Sequence, residues 1–166
     1  MGAFTYPRSE PGSAGHMDLV ERLGAYAAAL RSEVAGLPDA TLTQRAGDGW
    51  SIKDVVGHMC DASRVLHKRL YMMIKLEEPR LPGYDADALA NERNASAARI
   101  DDLLSEYAAQ RAATVDMLAD LVHWNWARPG RHPKQGRISI REQVELSLAH
   151  EDEHLAQIRA LKERAV

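Results

Sequence analysis

Four stretches of this chain repeat apolar residues at intervals of three and four, the spacing that gathers them on one face of an α-helix. From Met17 to about Ala35 that face is built by Leu19, Val20, Leu23, Ala27, Leu30 and Val34. Gly36-Leu37-Pro38 ends it, with a glycine suited to a helix C-terminus and a proline that cannot prolong one. The second stretch starts after Trp50, where Ser51 is an N-cap and Asp54 completes a capping box. Ile52, Val55, Val56, Met59, Leu66, Leu70 and Met73 carry it to about Lys75, and Pro79 and Pro82-Gly83 close it. A short helical turn follows over about 85–91. The third stretch, about Ser96 to Val122, shows Ile100, Leu103, Leu104, Tyr107, Val115, Leu118 and Leu121. His123 to Gly136, with its tryptophans, prolines and glycines, reads as too irregular for helix. Ser139 then caps a fourth helix, with Glu142 as the box partner, that runs to about Arg164.

No internal repeat is visible, and no strand longer than a few residues. The expected fold is therefore all-α: a four-helix bundle over 17–166, with connections long enough to permit a crossover. Aromatic residues make up only 5% of the chain, so Leu, Val, Ile, Met and Ala must fill the core. Residues 1–16, with Pro7, Pro11 and several Gly and Ser, read as a disordered tail without the apolar segment of a signal peptide. His16, beside a possible Gly15-His16-Met17 junction, is set aside. A net charge of −3 with no basic stripe argues against nucleic acid. Apolar runs of a few residues argue against a membrane span. The single cysteine, Cys60, excludes an internal disulfide and fits a reducing cytoplasm.

Chemistry concentrates in the histidines. His150 and His154 form an H-x-x-x-H on the fourth helix, which stacks two imidazoles one turn apart on one face, within reach of one ion. Both lie toward the edge of that helix's apolar stripe, and His58 lies at the edge of the second helix's stripe. Stripe edges of neighbouring helices are where a bundle can hold a site both enclosed and open to water. Spacing leaves two readings open: a shared metal site, or three separate hydrogen-bonded histidines. His67 should face the opposite side of the helix from His58 and be solvated. Cys60, roughly 200° round the helix from His58, reads as core. His132-Pro133 looks like a turn that could lean over the pocket, with His123 less well placed. Glu151 falls near the middle of an apolar stripe, where a carboxylate needs a buried donor or a histidine to orient. Asp54 is explained by its cap, and Trp50, Trp124 and Trp126 read as packing anchors.

Gly49-Trp50-Ser51-Ile52-Lys53-Asp54-Val55-Val56-Gly57-His58, followed much later by Ala149-His150-Glu151-Asp152-Glu153-His154-Leu155, resembles the DinB/YfiT-like superfamily of metal-binding four-helix proteins. The likeness runs from Leu19 to the end. It departs at His123-Trp124-Asn125, where relatives often carry a Pro-rich or acidic stretch. The resemblance implies a four-helix bundle with a long crossover, often homodimeric. It implies a divalent ion, commonly Zn²⁺ or Ni²⁺, held by His58, His150 and His154 with positions left open. Characterised members include S-transferases that use bacillithiol, mycothiol or similar thiols, so a small-molecule thiol and an electrophile are the expected partners. A hydrolase using the same ion on water, and a non-catalytic stress-response protein, are the alternatives. Glu151 and His132 are the candidate bases.

Overall fold

A computed structural model of the protein describes residues 12–165. Six α-helices appear: α1 (Gly12–Val34), α2 (Asp39–Thr43), α3 (Ile52–Lys75), α4 (Ala86–Arg93), α5 (Ile100–Ala119) and α6 (Ile140–Arg164). A two-stranded hairpin, β1 (Pro129–His132) and β2 (Gly136–Ser139), precedes α6. The four long helices form the bundle, so the chain is an all-α four-helix protein.

Both capping boxes form. Ser51 Oγ accepts from the Asp54 amide at 3.1 Å while Asp54 Oδ2 accepts from the Ser51 amide at 2.9 Å. Ser139 and Glu142 repeat the exchange at 3.1 and 2.7 Å. Each box satisfies amides that the first helical turn leaves without partners, and so fixes where α3 and α6 begin. The first helix begins earlier than its apolar spacing indicates, because Gly12–His16 continue it; the rest of the expected tail, residues 1–11, lies outside the described residues. Sequence spacing gave no sign of α2, a five-residue helix that buries Leu42 after Pro38.

The packing order of the bundle is not the chain order. Helix α1 packs on α5 and α6, and α3 packs on α5 and α6, so consecutive long helices α1 and α3, and again α5 and α6, stand on diagonals. Side-chain pairs give the directions. Tyr26 meets Asp152 and Glu33 meets Arg159, so α1 and α6 run parallel. Cys60 reaches the Leu103 carbonyl and His67 reaches Thr114, so α3 and α5 also run parallel. His58 meets His150, whereas Arg69 meets His132 just before α6 begins, so α3 and α6 are antiparallel. One lengthwise crossover is thus required, the 76–99 connection between the parallel helices α3 and α5, which carries α4, whereas the 120–139 connection joins the antiparallel pair α5 and α6 across a diagonal. The core between the helices is aliphatic: Leu23, Leu30, Val55, Met59, Leu70, Ile140, Val144 and Ile158 are all fully buried.

The segment expected to be irregular is ordered as a 3₁₀ turn, His123–Ala127, followed by the hairpin. It docks onto the end of α3 from outside. Arg131 donates to the Pro79 carbonyl at 2.8 Å and accepts from the Leu81 amide at 2.9 Å. Gly130 makes this approach possible, because a Cβ there would stand 2.9 Å from Met73 Cγ. Gly136, with φ of +73°, turns the hairpin. The consequence is functional: His132 is carried to the mouth of the groove between α3 and α6. Among the described residues, no helix is long and apolar enough to cross a membrane.

Candidate metal centre

The capping box at Ser51 starts α3, and two turns later His58 emerges toward α6, where His150 and His154 stand one turn apart. All three present Nε2. His58 and His154 Nε2 lie 3.1 and 3.0 Å from His150 Nε2, and all three ligand atoms fall within 4.8 Å of one another. An ion bound at about 2.0–2.1 Å by tetrahedral nitrogens would separate them by roughly 3.3–3.4 Å. The spacing fits one ion with a few tenths of an ångström of relaxation.

The His154 tautomer fits as well. His154 Nδ1 lies 2.8 Å from Gln157 Oε1, an acceptor, so the ring proton belongs on Nδ1 and the Nε2 lone pair faces the centre. Ligand histidines are ordinarily oriented this way by a partner behind the ring. Burial holds the His58 imidazole down to about 4, helped by the neighbouring His154. Burial, with His154, His58 and Arg111, holds His150 down to about 3. Both rings are therefore neutral at neutral pH, the form that binds metal. Trp50 leans on His58 with ring centroids 4.9 Å apart, which places this tryptophan beside the triad. His58 Nδ1 is buried with no hydrogen-bond partner among the described residues.

These depressed values have a measurable consequence in the metal-free protein. Unfolding returns both imidazoles to an ordinary value of about 6.5, so between that value and about 4 the unfolded chain binds more protons than the folded one. Stability must then fall as pH drops from 6.5 toward 4. Urea midpoints of chelator-treated protein at pH 7 and pH 5 should show a clear loss at pH 5, and His58→Gln should lessen it.

Directly behind His150 is a buried network. Tyr107 Oη donates to Glu151 Oε2 at 2.5 Å, and Arg111 donates to Glu151 Oε1 at 2.9 Å, to Ser63 Oγ at 3.0 Å and to Tyr107 Oη at 3.2 Å. Glu151 and Arg111 are each only 1% exposed. The carboxylate thus has its buried donors, as its stripe position demanded. Its role as a general base, however, loses support: both oxygens are occupied and Glu151 does not line the cavity.

That cavity, about 570 Å³, opens between α3 and α6, and His58 and His150 line it. Leu66, Leu146 and Pro133 supply apolar walls; Arg69, His132 and Tyr84 supply polar ones. His132 does reach the pocket. Its Nδ1 accepts from the amides of Lys134 and Gln135, both at 3.1 Å, and burial followed by Arg69 and Lys134 lowers its basicity. Tied down and depressed in this way, it is poorly suited to collect a proton.

Other expectations need correction. His67 is half-buried rather than solvated, because it turns toward α5 and meets Thr114 Oγ1 at 2.9 Å. Trp124 is 63% exposed and anchors no packing, whereas Trp126 is buried. His16, set aside on sequence, is buried and stacks on Trp126 at 4.6 Å and on His123 at 4.9 Å, far along the chain from the triad. Cys60 is core, 1% exposed, its thiol pushed up to about 12 by burial. Sequence reasoning missed Arg111 and Arg69. A signal existed: Arg111 continues the Leu104–Tyr107 stripe of α5, and Arg69 continues the row His58, Ala62, Leu66 on α3.

Comparison with known proteins agrees with the fold. A family model described as the DinB superfamily matches residues 22–158. A protein of Oceanobacillus iheyensis named "Putative metal-dependent hydrolase OB0782" is 29% identical over 136 residues, covering 81% of this chain and 78% of its own. The solved structure of YfiT from Bacillus subtilis, described as a probable metal-dependent hydrolase with an unusual four-helix bundle topology, superposes with a TM-score of 0.86. It is 21% identical, and the match covers 97% of this chain and 93% of that one.

Proposed function

The chain belongs to the DinB superfamily, and on that premise we propose that it is a metal-dependent enzyme whose His58, His150 and His154 hold one divalent ion, zinc or nickel. The observation that carries this reading is the convergence of three Nε2 atoms, two contacts at 3.0 and 3.1 Å, from rings of which His58 and His150 line a cavity. A structural zinc site is ordinarily closed by four protein ligands; the group of potential ligands here holds three residues, all histidine. Neutral imidazoles leave the ion its full charge, and an ion so held stabilises a bound thiolate outright or lowers the pKa of bound water to about 7.

Thiol transfer is the leading reaction. The reason is that neither expected base is free to serve: Glu151 is sealed behind His150 and His132 is committed to its turn. A small-molecule thiol that loses its proton on binding needs no such base. With the ion bound, transfer would form a carbon–sulfur bond as the bond to the electrophile's leaving group broke, the thiol proton going to solvent. The chain's own part is to present three lone pairs, with Gln157 fixing the His154 ring. Leu66 and Leu146 keep the cavity partly apolar.

Hydrolysis is the second reading, favoured by the descriptions that the relatives carry. Protein stripped of metal and reloaded with Zn²⁺, Ni²⁺ or Mn²⁺ separates the two. The expected result is metal-dependent consumption of bacillithiol, mycothiol or glutathione with a halogenated aromatic electrophile. Ester or amide cleavage with no thiol turnover would replace transfer by hydrolysis. Stoichiometric metal with neither activity would point to a binding protein.

A further inference from the structure

Arg69 is a buried cation with no carboxylate beside it among the described residues. It is 9% exposed, its Nε and one terminal nitrogen donate to the Pro82 carbonyl at 2.9 and 2.8 Å, and its other terminal nitrogen faces His132 Nε2 at 3.2 Å. Burial disfavours its charged form, against a smaller opposite influence of Tyr84. A guanidinium out of water without a counter-charge is unfavourable, which already asks what anion completes it.

The contact with His132 sharpens the question. His132 Nδ1 accepts from two backbone amides, so Nδ1 carries no proton and, in the neutral ring, Nε2 does. The guanidinium has donors only. At 3.2 Å, therefore, a donor faces a donor, and the pair lacks an acceptor. Both groups line the same cavity, and its mouth carries two cations, Arg69 and Lys134, against one carboxylate, Asp85. Asp85 is already engaged as the N-cap of α4, accepting from the Ala88 amide at 3.0 Å. One negative charge is missing.

We propose that Arg69 and His132 bind a carboxylate of the substrate, whose oxygens accept from the guanidinium and from the His132 Nε2–H at the end of the cavity remote from the triad. His58 and Arg69 are separated by roughly 16 Å of helix rise, and the arginine side chain leans back toward the helix N-terminus. The substrate is thus elongated, with its reacting group on the order of 10 Å from its carboxylate. Ala62, Leu66 and Pro133 line the path between, so the intervening part is apolar. This assignment of substrate class rests on the metal-site reading for what happens at the other end of the cavity, but the anion site itself does not require metal.

The test compares hexanoate with hexanamide and hexyl phosphate by calorimetric titration into the full-length protein, once chelator-treated and once zinc-loaded. Hexanoate should bind about tenfold or more tighter than hexanamide in both states, as charge-assisted hydrogen bonds to a buried guanidinium require. Arg69→Met should bring the ratio near one. Because Arg69 also holds the Pro82 segment, a second variant guards the result. His132→Asn keeps an acceptor for the Lys134 and Gln135 amides but removes the distal donor, and it should reduce the ratio severalfold without changing the melting temperature much. Equal binding of hexanoate and hexanamide, a ratio unchanged in both variants, or a preference for hexyl phosphate overturns the carboxylate assignment. A metal-free triad with the hexanoate preference intact would defeat the proposed enzyme while leaving this site standing; zinc bound with no preference would do the reverse.

Discussion

Replacing Glu151 with leucine will destabilise this protein more than any other single substitution considered, by about 3–5 kcal/mol. The buried pair explains the size. Arg111, 1% exposed, would lose the carboxylate at 2.9 Å and keep a charge it cannot shed, since an arginine does not deprotonate in proteins. The reverse change should be milder. In Arg111→Met, Glu151 can take up a proton, because burial already raises its pKa against the pull of Arg111, and as a neutral acid it can still bond Tyr107. The expected order is therefore Glu151→Leu well below Arg111→Met, with Glu151→Leu/Arg111→Met recovering much of the loss. For a domain of this length a loss of that size lowers the melting temperature by on the order of 10 °C. Thermal and urea unfolding of the three variants check it; equal losses in the two single variants would show that the charge asymmetry is not what sets the cost.

The same pair shows what could be seen in the sequence. Periodicity placed Glu151 inside an apolar stripe and so demanded a donor, but it could not name Tyr107 and Arg111, because partners on another helix depend on which helices are neighbours. That order, with α1 and α3 on one diagonal and α5 and α6 on the other, follows from connections whose routes no local pattern encodes. The helix starts at α3 and α6 were legible, because a capping box is local chemistry: Ser51 with Asp54 and Ser139 with Glu142 satisfy each other within one turn. The triad stood between these cases. Helical spacing put His150 and His154 on one face and His58 at a stripe edge, which made a meeting possible; only the antiparallel contact of α3 and α6 brings the rings together. His67 failed for the complementary reason. Its side of α3 was read as solvent, whereas α5 runs parallel beside it and supplies Thr114. The hairpin was hidden because its order comes from pairing with residues 79–81 rather than from its own short strands.

Replacing His58 with alanine should separate folding from metal binding. The ring belongs to α3 and the other two to α6, so the substitution removes the one ligand that ties the helices together through an ion while leaving the H-x-x-x-H intact. Loss even of a residue that merely orients a ligand lowers metal affinity by about 10–100-fold, so loss of a ligand itself should exceed 100-fold. The stability readout follows by linkage: free metal at about 100 times its dissociation constant adds roughly 2.7 kcal/mol to the folded state. Wild-type protein should therefore melt several degrees higher in Zn²⁺ than in chelator, and His58→Ala should melt at one temperature in both. In chelator the two proteins should lie close together, because His58 Nδ1 is buried without a hydrogen-bond partner and its removal relieves an unsatisfied polar atom while leaving a small cavity. His67→Ala, which loses only the contact to Thr114, is the control and should keep the full zinc-dependent shift. If His58→Ala retains stoichiometric zinc and the shift, the three converging nitrogens are a packing arrangement of the bundle, and the ion, if any, is held elsewhere.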